Sequence, residues 1–444
     1  MAKTFRPYQP DQLLLLPPSL KEWLPPGHLV YFVSDLVETL DLTAIYESYS
    51  EERGYPPYHP LLMTKLLLYG YCLGVRSSRR LERATKEDVA FRILCAGNEP
   101  DFRTIAAFRV RHLEALDDLF LQVLRLCQEA GLVKLGHVAI DGTKVRANAS
   151  KHKAMSYGRM EQEEKRLQAL VRQILDEAAQ VDEEEDALYG PDKRGDELPE
   201  ELAHPVTRLK KIQEAKAALE AEARGKAERG EAKTAEVKAK AQRNFTDPDS
   251  RIMLSSDKAF VQAYNAQAAV DAEHQVIVAA EVVQEANDKA QLVPMVEAVA
   301  DNLGETPELV SADAGYWSEE AVEQVEDYWI EALVAPKKIR HREWVETPVE
   351  EDPPPEGLSV RDRMAWILRT ERGRAEYGKR KITAESVFGQ MKGAMGFREF
   401  LLRGYRKVQG EWKMASTAHN VLKLFRAGAD LRALAGLRLG SEAG

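Results

Sequence analysis

Three acidic residues, far apart along the chain, have the types and local settings that metal-ion chemistry needs. Asp141 closes the apolar run Gly136-His-Val-Ala-Ile and opens into Gly142-Thr-Lys-Val. Asp313 ends Leu309-Val-Ser-Ala and precedes Ala314-Gly-Tyr, while Glu385 lies in the helical pattern Ile382-Thr-Ala-Glu-Ser-Val-Phe-Gly-Gln-Met-Lys392. Two carboxylates at strand ends, faced by a third on a late helix, could converge on one spot. Hard oxygen donors of this kind suit Mg2+, which keeps several waters and binds a few carboxylates together with substrate phosphate. Two such ions about 3.5–4 Å apart can assist both the attacking and the leaving oxygen of an in-line displacement at phosphorus. Taken singly, each acid has a plainer reading. A strand-end Asp is usually a turn or cap residue, and a Glu in an amphipathic helix usually faces solvent.

The elements that must position these acids follow from the hydropathy pattern. At 444 residues the chain is too long for one ordinary core, so two or three domains are expected. Residues 1–130 have the pattern of an all-helical domain, with apolar positions at helical spacing over Leu29–Leu40, Pro60–Leu73, Ser78–Cys95 and Thr104–Gly131. The breaks are Gly54-Tyr-Pro-Pro, Gly74 with Ser77-Ser78, and Gly97-Asn-Glu-Pro-Asp, and Asp101 before Thr104 is a helix start. Arg79, Arg80, Arg83, Arg103, Arg109 and Arg111 supply cations for a DNA-end-binding head. A helical packing or dimerisation module with solvated arginines is the alternative.

Residues 131–149 turn Val/Ile-rich and strand-like, whereas 150–243 are rich in Ala, Glu and Lys and poor in aromatics. Leu167, Leu170, Val171, Ile174 and Leu175 make one stripe, and the acidic loop near Tyr189-Gly-Pro-Asp divides the segment. An inserted antiparallel helical hairpin is expected, able to pair with a second copy; a charged, partly disordered linker is the alternative. Gln262–Val270 and Gln275–Val283 form a strand pair joined by Asp271-Ala-Glu-His274. Leu309–Ala312 and Ile330–Ala335 add strands, Ser318 starts a helix between them, and Val360–Arg369 is helical again. The expected class is α/β (α+β), with a mixed catalytic sheet of about five strands assembled from 131–149 plus 244–430 and a tail at 431–444.

The bulk properties exclude some classes. No apolar run approaches the ~20 residues that cross a bilayer, and Pro7, Pro10 and Asp11 interrupt any secretory pattern at the start. Cys72, Cys95 and Cys127 are odd in number and widely spaced, which points to reduced, buried thiols and a cytoplasmic setting. The net charge of −10 argues mildly against a nucleic-acid partner, yet residues 371–444 hold 15 Lys/Arg against 7 Asp/Glu, a local excess of 15 − 7 = +8. Phosphate binding depends on a local basic face, so the total decides nothing.

Taken together, several motifs resemble the DDE transposases of bacterial insertion sequences, enzymes with an RNase H-like catalytic core. The similar stretches are Gly54-Tyr-Pro-Pro-Tyr-His-Pro, Pro100-Asp-Phe-Arg-Thr-Ile-Ala-Ala-Phe-Arg, Ala139-Ile-Asp-Gly-Thr-Lys, Thr246-Asp-Pro-Asp-Ser-Arg, Ala286-Asn-Asp-Lys, Ala312-Asp-Ala-Gly-Tyr and Glu385-Ser-Val-Phe-Gly-Gln-Met-Lys. Arg403-Gly404 and Ala418-His-Asn420 continue the likeness, which covers residues 50–425. It implies that Asp141, Asp313 and Glu385 are the catalytic triad. They would hold two Mg2+ ions, with Mn2+ able to substitute. The implied partners are double-stranded DNA, as terminal inverted repeats and as target, and further copies of the chain in a dimer or larger complex on DNA. No membrane partner is implied.

The same resemblance implies a Tyr–Arg–Glu–Lys signature on the third motif's helix. Lys392 lies seven positions after Glu385 and so shares its face, and Lys381, four before, falls near it. Tyr377 and Arg380 keep their mutual spacing but stand one residue too far upstream. Lys381 is therefore expected on the catalytic face, unless a local bulge restores Arg380. Lys392, Lys381, Arg380, Tyr377 and Arg403 make up the expected DNA-contacting set. Asp247 and Asp249 could approach substrate but are better read as an Asp-Pro turn, and Asp288 as a helix cap. Trp317 could stack on a base or pack in a core, and His419 is expected to be a packed helical histidine. A transposase-derived DNA-binding or regulatory protein without activity is the alternative function, favoured only by the slipped Tyr/Arg spacing.

Overall fold

A computed structural model describes residues 19–49, 57–150, 153–189, 200–230, 233–255, 258–338 and 347–434. The break at Gly54-Tyr-Pro, the loop after Tyr189 and positions 435–444 of the tail lie outside the described residues. The chain divides into two compact units, Met1–Val133 with Met414–Gly444, and Lys134–Lys413. The last long helix, Tyr405–Arg426, contributes to both, so residues 414–430 group with the helical unit, not with the segment 244–430 expected from the sequence.

Within the first unit the described residues are helical: α1 (Leu29–Thr39), α2 (Thr43–Glu47), α3 (Pro60–Cys72), α4 (Ser78–Glu87), α5 (Val89–Leu94), α6 (Phe102–Arg111) and α7 (Leu113–Glu129). α3 is apolar all round and almost wholly buried, which makes it the central helix of this unit. Its one lysine, Lys65, is neutralised by Glu38 at 2.5 Å and by the Ser34 hydroxyl at 2.9 Å. Two helices expected to be continuous are each broken by one residue. Asp88 takes an extended conformation and caps α5, accepting from the backbone N–H groups of Ala90 and Phe91. His112 leaves the helical region at φ −106°, ψ 27°, and its ring turns to the Ser48 and Tyr49 hydroxyls at 3.4 and 3.2 Å. Side-chain hydrogen bonding outweighs helical periodicity at both points. Asp101 caps α6 through Arg103 and Thr104, as expected. All three cysteines are free and buried.

The second unit is built on a mixed sheet. β1 (Val138–Arg146), β5 (Phe260–Asp271) and β6 (Ile277–Val283) are antiparallel neighbours; β7 (Leu309–Ala312) and β8 (Glu331–Val334) continue from β1 in parallel. β4 (Arg251–Leu254) pairs with the first part of β5. Three antiparallel strands followed by two parallel ones is consistent with the RNase H-like core that the resemblance implies. Central strands β1, β5 and β7 are apolar and buried for most of their length, as strands covered on both faces must be. The β5–β6 turn is pinned by Asp271, whose carboxylate accepts from the N–H groups of Glu273 and His274 and from Lys134 and Leu135 at the entry to β1. α10 (Leu292–Leu303) packs on β5 and β6, and α11 (Glu319–Asp327), started by the Ser318 cap, packs on β8.

Between β1 and β4 the chain leaves the sheet. A two-stranded ribbon, β2 (Ala154–Ser156) with β3 (Gln242–Asn244), carries the helices α8 (Tyr157–Tyr189) and α9 (Glu200–Glu228). Contacts between the helices run in opposite directions: Tyr157 to Glu220, Glu164 to Lys216 and Glu163 to Arg208. This is the expected antiparallel hairpin. The patterning expected to remain helical to Gln242 ends at Glu228, and the ribbon strands were not anticipated. Met160, Leu167, Ile212, Ala215 and Leu219 form a buried cluster of their own, flanked by Met155, Tyr157 and Phe245. From the expected stripe, Leu167 joins this cluster and Leu175 is exposed.

Loss of the Asp88 cap leaves two N–H groups without their acceptor, so Asp88→Ala is expected to destabilise the helical unit by about 1 kcal/mol. Urea unfolding followed by circular dichroism would measure it, and an unchanged midpoint would refute the capping role.

Candidate active site

Strand register brings the first two acids together. The parallel β1–β7 ladder pairs Val138 with Val310, Ala139 with Ser311 and Ile140 with Ala312, so Asp141 and Asp313 come next in step. They occupy matching positions on adjacent strands, whose axes lie about 4.8 Å apart. Asp141 is largely buried, and its carboxyl is pushed up to about 6, first by burial and then by the neighbouring charges of Asp313 and Asp288; Arg380 and the Gly142 N–H oppose the rise. The Gly142 N–H reaches Asp141 Oδ1 at 2.8 Å, and the Gly315 N–H reaches Asp313 Oδ1 at 2.7 Å.

Opposite the strands runs a broken helix. α12 (Val360–Ile367) is followed by α13 (Glu371–Arg380), which leads directly into a π-helical turn over Lys381–Glu385 and then into α14 (Ser386–Gly393). α13 packs on β1 and β7, and the π-turn on β1 and β5. A π-turn holds one residue more than the α-helix it interrupts. That extra residue absorbs the displaced Tyr/Arg spacing. Arg380 is buried, with Nη1 3.9 Å from Asp141 Oδ2, and its guanidinium lies 5.5 Å from the centre of the Tyr377 ring. Lys381 is exposed. Hydroxyl side chains make the turn tolerable: Thr383 donates to the Lys379 carbonyl, and Ser386 to the carbonyls of Ile382 and Thr383.

Lys392 donates to the Thr143 hydroxyl. Thr143 is two residues beyond Asp141 on the same face of β1, so Lys392 lies on the acid-bearing face. Glu385, at the junction of the π-turn and α14, is exposed. Among the described residues no three His, Cys, Asp or Glu side chains lie close enough together to hold a metal ion. The strand register sets Asp141 beside Asp313, and Glu385 ends the π-turn that packs on β1 and β5.

A polar hub behind the acids is absent from the sequence reading. Asp288, expected to cap α10, instead accepts from Lys144 Nζ at 3.2 Å, Asn265 Nδ2 at 2.6 Å and Gln267 Nε2 at 2.7 Å. Gln267 also accepts from the Tyr316 hydroxyl, three residues after Asp313, and its backbone carbonyl accepts from Trp412 Nε1. Asn265, Gln267 and Tyr316 are fully buried. Gly142 is required here, because a Cβ would come within 2.5 Å of Gln267 Nε2 and 2.8 Å of Asp288 Oδ1. The missed signal is the polar pair Asn265 and Gln267 at period two within the apolar strand Tyr264–Val270, since buried polar groups must find partners.

Asp247 is buried and accepts from the Tyr264 hydroxyl and the Gly404 N–H, and Asp249 accepts from the Tyr405 N–H. The Arg403 side chain bonds Asn148 at its backbone and side-chain oxygens. Trp317 is half-buried, and His419 is buried as expected. Of the N-terminal cations, Arg109 is buried against Tyr71 and donates to the Arg76 carbonyl, while Arg79, Arg80, Arg83 and Arg103 are exposed.

A mixed sheet carrying paired acids at the ends of adjacent strands, in a chain that also holds a helical unit, is the architecture expected of a DDE transposase, and the family comparisons agree. Residues 18–111 match the transposase domain DUF772, and residues 247–421 match the transposase DDE domain. The chain belongs to the DDE transposases of insertion sequences. Asp313, Arg380, Glu385 and Lys392 fall within the second match, whereas Asp141 lies between the two. No curated protein and no solved structure matches the chain. Among the described residues no helix is long and apolar enough to cross a membrane.

The raised Asp141 carboxyl has a stability consequence. A folded-state value near 6 against 3.8 unfolded means that the contribution is favourable at acid pH and is lost as pH rises through about 6. Without divalent metal, Asp141→Asn is expected to be more stable than the parent at pH 8, by an amount on the order of 2–3 kcal/mol, with the gap closing near pH 4. Thermal melts at both pH values in chelator would test this; equal melting points at pH 8 would refute it.

Proposed function

We propose that this transposase hydrolyses DNA strands at insertion-sequence ends and transfers the freed 3′-hydroxyl into target DNA, using one site formed by Asp141, Asp313 and Glu385. The observation that carries the proposal is the in-register Asp141–Asp313 pair with Arg380 buried beside it. Both reactions are in-line attacks at phosphorus and need no covalent enzyme intermediate, so one set of groups can serve each.

Divalent cations fit the donor chemistry: two hard carboxylates side by side, one of them raised by burial and by like charge, form a place where a cation relieves strain. Asp141 and Asp313 would hold Mg2+, or Mn2+ in its stead, with Glu385 as the third carboxylate. When bound, the ions supply Lewis-acid polarisation of the scissile phosphate and activation of the attacking oxygen. The protein's own groups orient the strand. Arg380 has a buried Nε with no hydrogen-bond partner among the described residues, so its planar fork has capacity for phosphate. Lys392 adds a point charge on the same face as Asp141, and Tyr377 supports Arg380. The exposed arginines of the helical unit are suited to recognising terminal inverted repeats, with a dimer or larger complex holding two ends. The π-turn adds one residue between Arg380 and Glu385, which supports an active enzyme over the inactive DNA-binding descendant that the slipped Tyr/Arg spacing favours.

The test uses a duplex of the element's own terminus, with purified protein in Mg2+ and in Mn2+. Parent protein is expected to nick and join, and Asp141→Ala and Glu385→Ala to do neither. Cleavage persisting in Asp141→Ala would end the proposal, and binding without cleavage by the parent would favour the inactive descendant. In the same assay Arg380→Ala is expected to slow cleavage by about 100-fold, the scale of losing one preorganised transition-state donor. Lys381→Ala should stay within a few-fold of the parent. The reverse order would return Lys381 to the signature position.

A further inference from the structure

We propose that the inserted hairpin carries a second DNA-backbone site, a basic cleft between the β2–β3 ribbon and α9; this rests on the DNA-processing function proposed above. The cleft has a volume of about 660 Å3, and its lining includes the cations Lys153, Arg159, Arg208 and Lys211 together with His204. Among the described residues that line it, none is acidic. That is unusual in a chain of net charge −10. Acids lie next to this lining as they do elsewhere on the insert and its base: Arg208 reaches Glu163 at 3.1 Å, Lys216 pairs with Glu164, and Arg243 and Arg251 pair with Glu222.

Arg208 and Lys211 are three positions apart on one face of α9, with His204 one turn before them and Thr207 beside them. From His204 to Lys211 the helix advances about 10 Å, about three base-pair steps of duplex at 3.4 Å each. Lys153 and Arg159 bring charge from the ribbon and from the start of α8, while Met155, Ile212 and Phe245 form an apolar floor. These floor residues belong to the insert's own core, which holds the cations in place before any partner arrives.

Connectivity favours DNA over an acidic protein. Lys153 follows Asp141 by twelve positions, so the cleft is joined to that acid by at most about 43 Å of chain. That is little more than one turn of duplex, about 34 Å. A strand engaged at the acids can continue into the cleft, and sequence-independent phosphate contacts there would fix its path.

The test measures binding of full-length protein to a random-sequence 30-base-pair duplex by fluorescence anisotropy over a range of salt. The variants are Lys153→Ala/Arg159→Ala/Lys211→Ala and the charge-preserving Lys153→Arg/Arg159→Lys/Lys211→Arg. Each lost phosphate contact lowers the salt slope by about 0.9, so the alanine variant should lose about 3 units of slope and bind at least about tenfold more weakly at 100 mM salt. The charge-preserving variant should retain parental slope and affinity. If the parent binds and the alanine variant has the same slope, the cleft proposal fails while the transposase reading stands. A loss shared by the charge-preserving variant also overturns it, since folding and not charge is then responsible. A parent that does not bind duplex DNA at all would refute the underlying reading as well.

Discussion

Two like charges set in register at the ends of adjacent, buried strands are the constraint around which the second unit is organised. Parallel pairing of β1 with β7 places Asp141 and Asp313 side by side, and burial of Asp141 weakens the screening of its charge. Positive potential comes from the N–H groups of Gly142 and Gly315 and from the Arg380 guanidinium. Even so, Asp141 keeps a raised carboxyl. An arrangement that is unfavourable by itself and becomes favourable on binding a cation is typical of functional sites.

The third element reaches the acids through an irregular backbone. A regular α-helix with the spacing of this sequence would direct Lys381 toward the strands and turn Arg380 aside. The π-turn reverses that choice, and the Thr383 and Ser386 hydroxyls satisfy carbonyls at its start and within it. Behind the strands, Asp288 joins Lys144, Asn265 and Gln267, and Gln267 in turn holds Tyr316 of the Asp313 loop. Movement of either acid-bearing loop would disturb this buried network, so the acids are held by interactions well outside their own strands.

The insert is a separate solution to a separate problem. Its hairpin is rich in charge, yet a small apolar cluster and cross-helix ion pairs give it a defined form. Glu222 binds Arg243 of the ribbon and Arg251 of β4, tying the hairpin to the sheet from which it leaves.

Much was legible in the sequence wherever the determinant was local. Period-two and period-3.6 patterning located the strands at Leu309–Ala312 and Ile277–Val283, the helices α1 and α3, and the caps Asp101 and Ser318. The acids themselves stood out by type and setting. Features that depend on contacts distant in sequence were not legible. Asp88 and His112 break helices whose periodicity is continuous, because their side chains find backbone or hydroxyl partners. Asp288 reads as a cap until β1 and β5 bring Lys144, Asn265 and Gln267 to it. That Arg380 lies beside Asp141 was not legible either, because it depends on how the helix and its π-turn pack against β1 and β5. The sequence by itself determined which groups are available for chemistry on phosphate. The tertiary structure decided which of them face one another, because register, burial and helix phase are properties of packed elements and not of the residues within them.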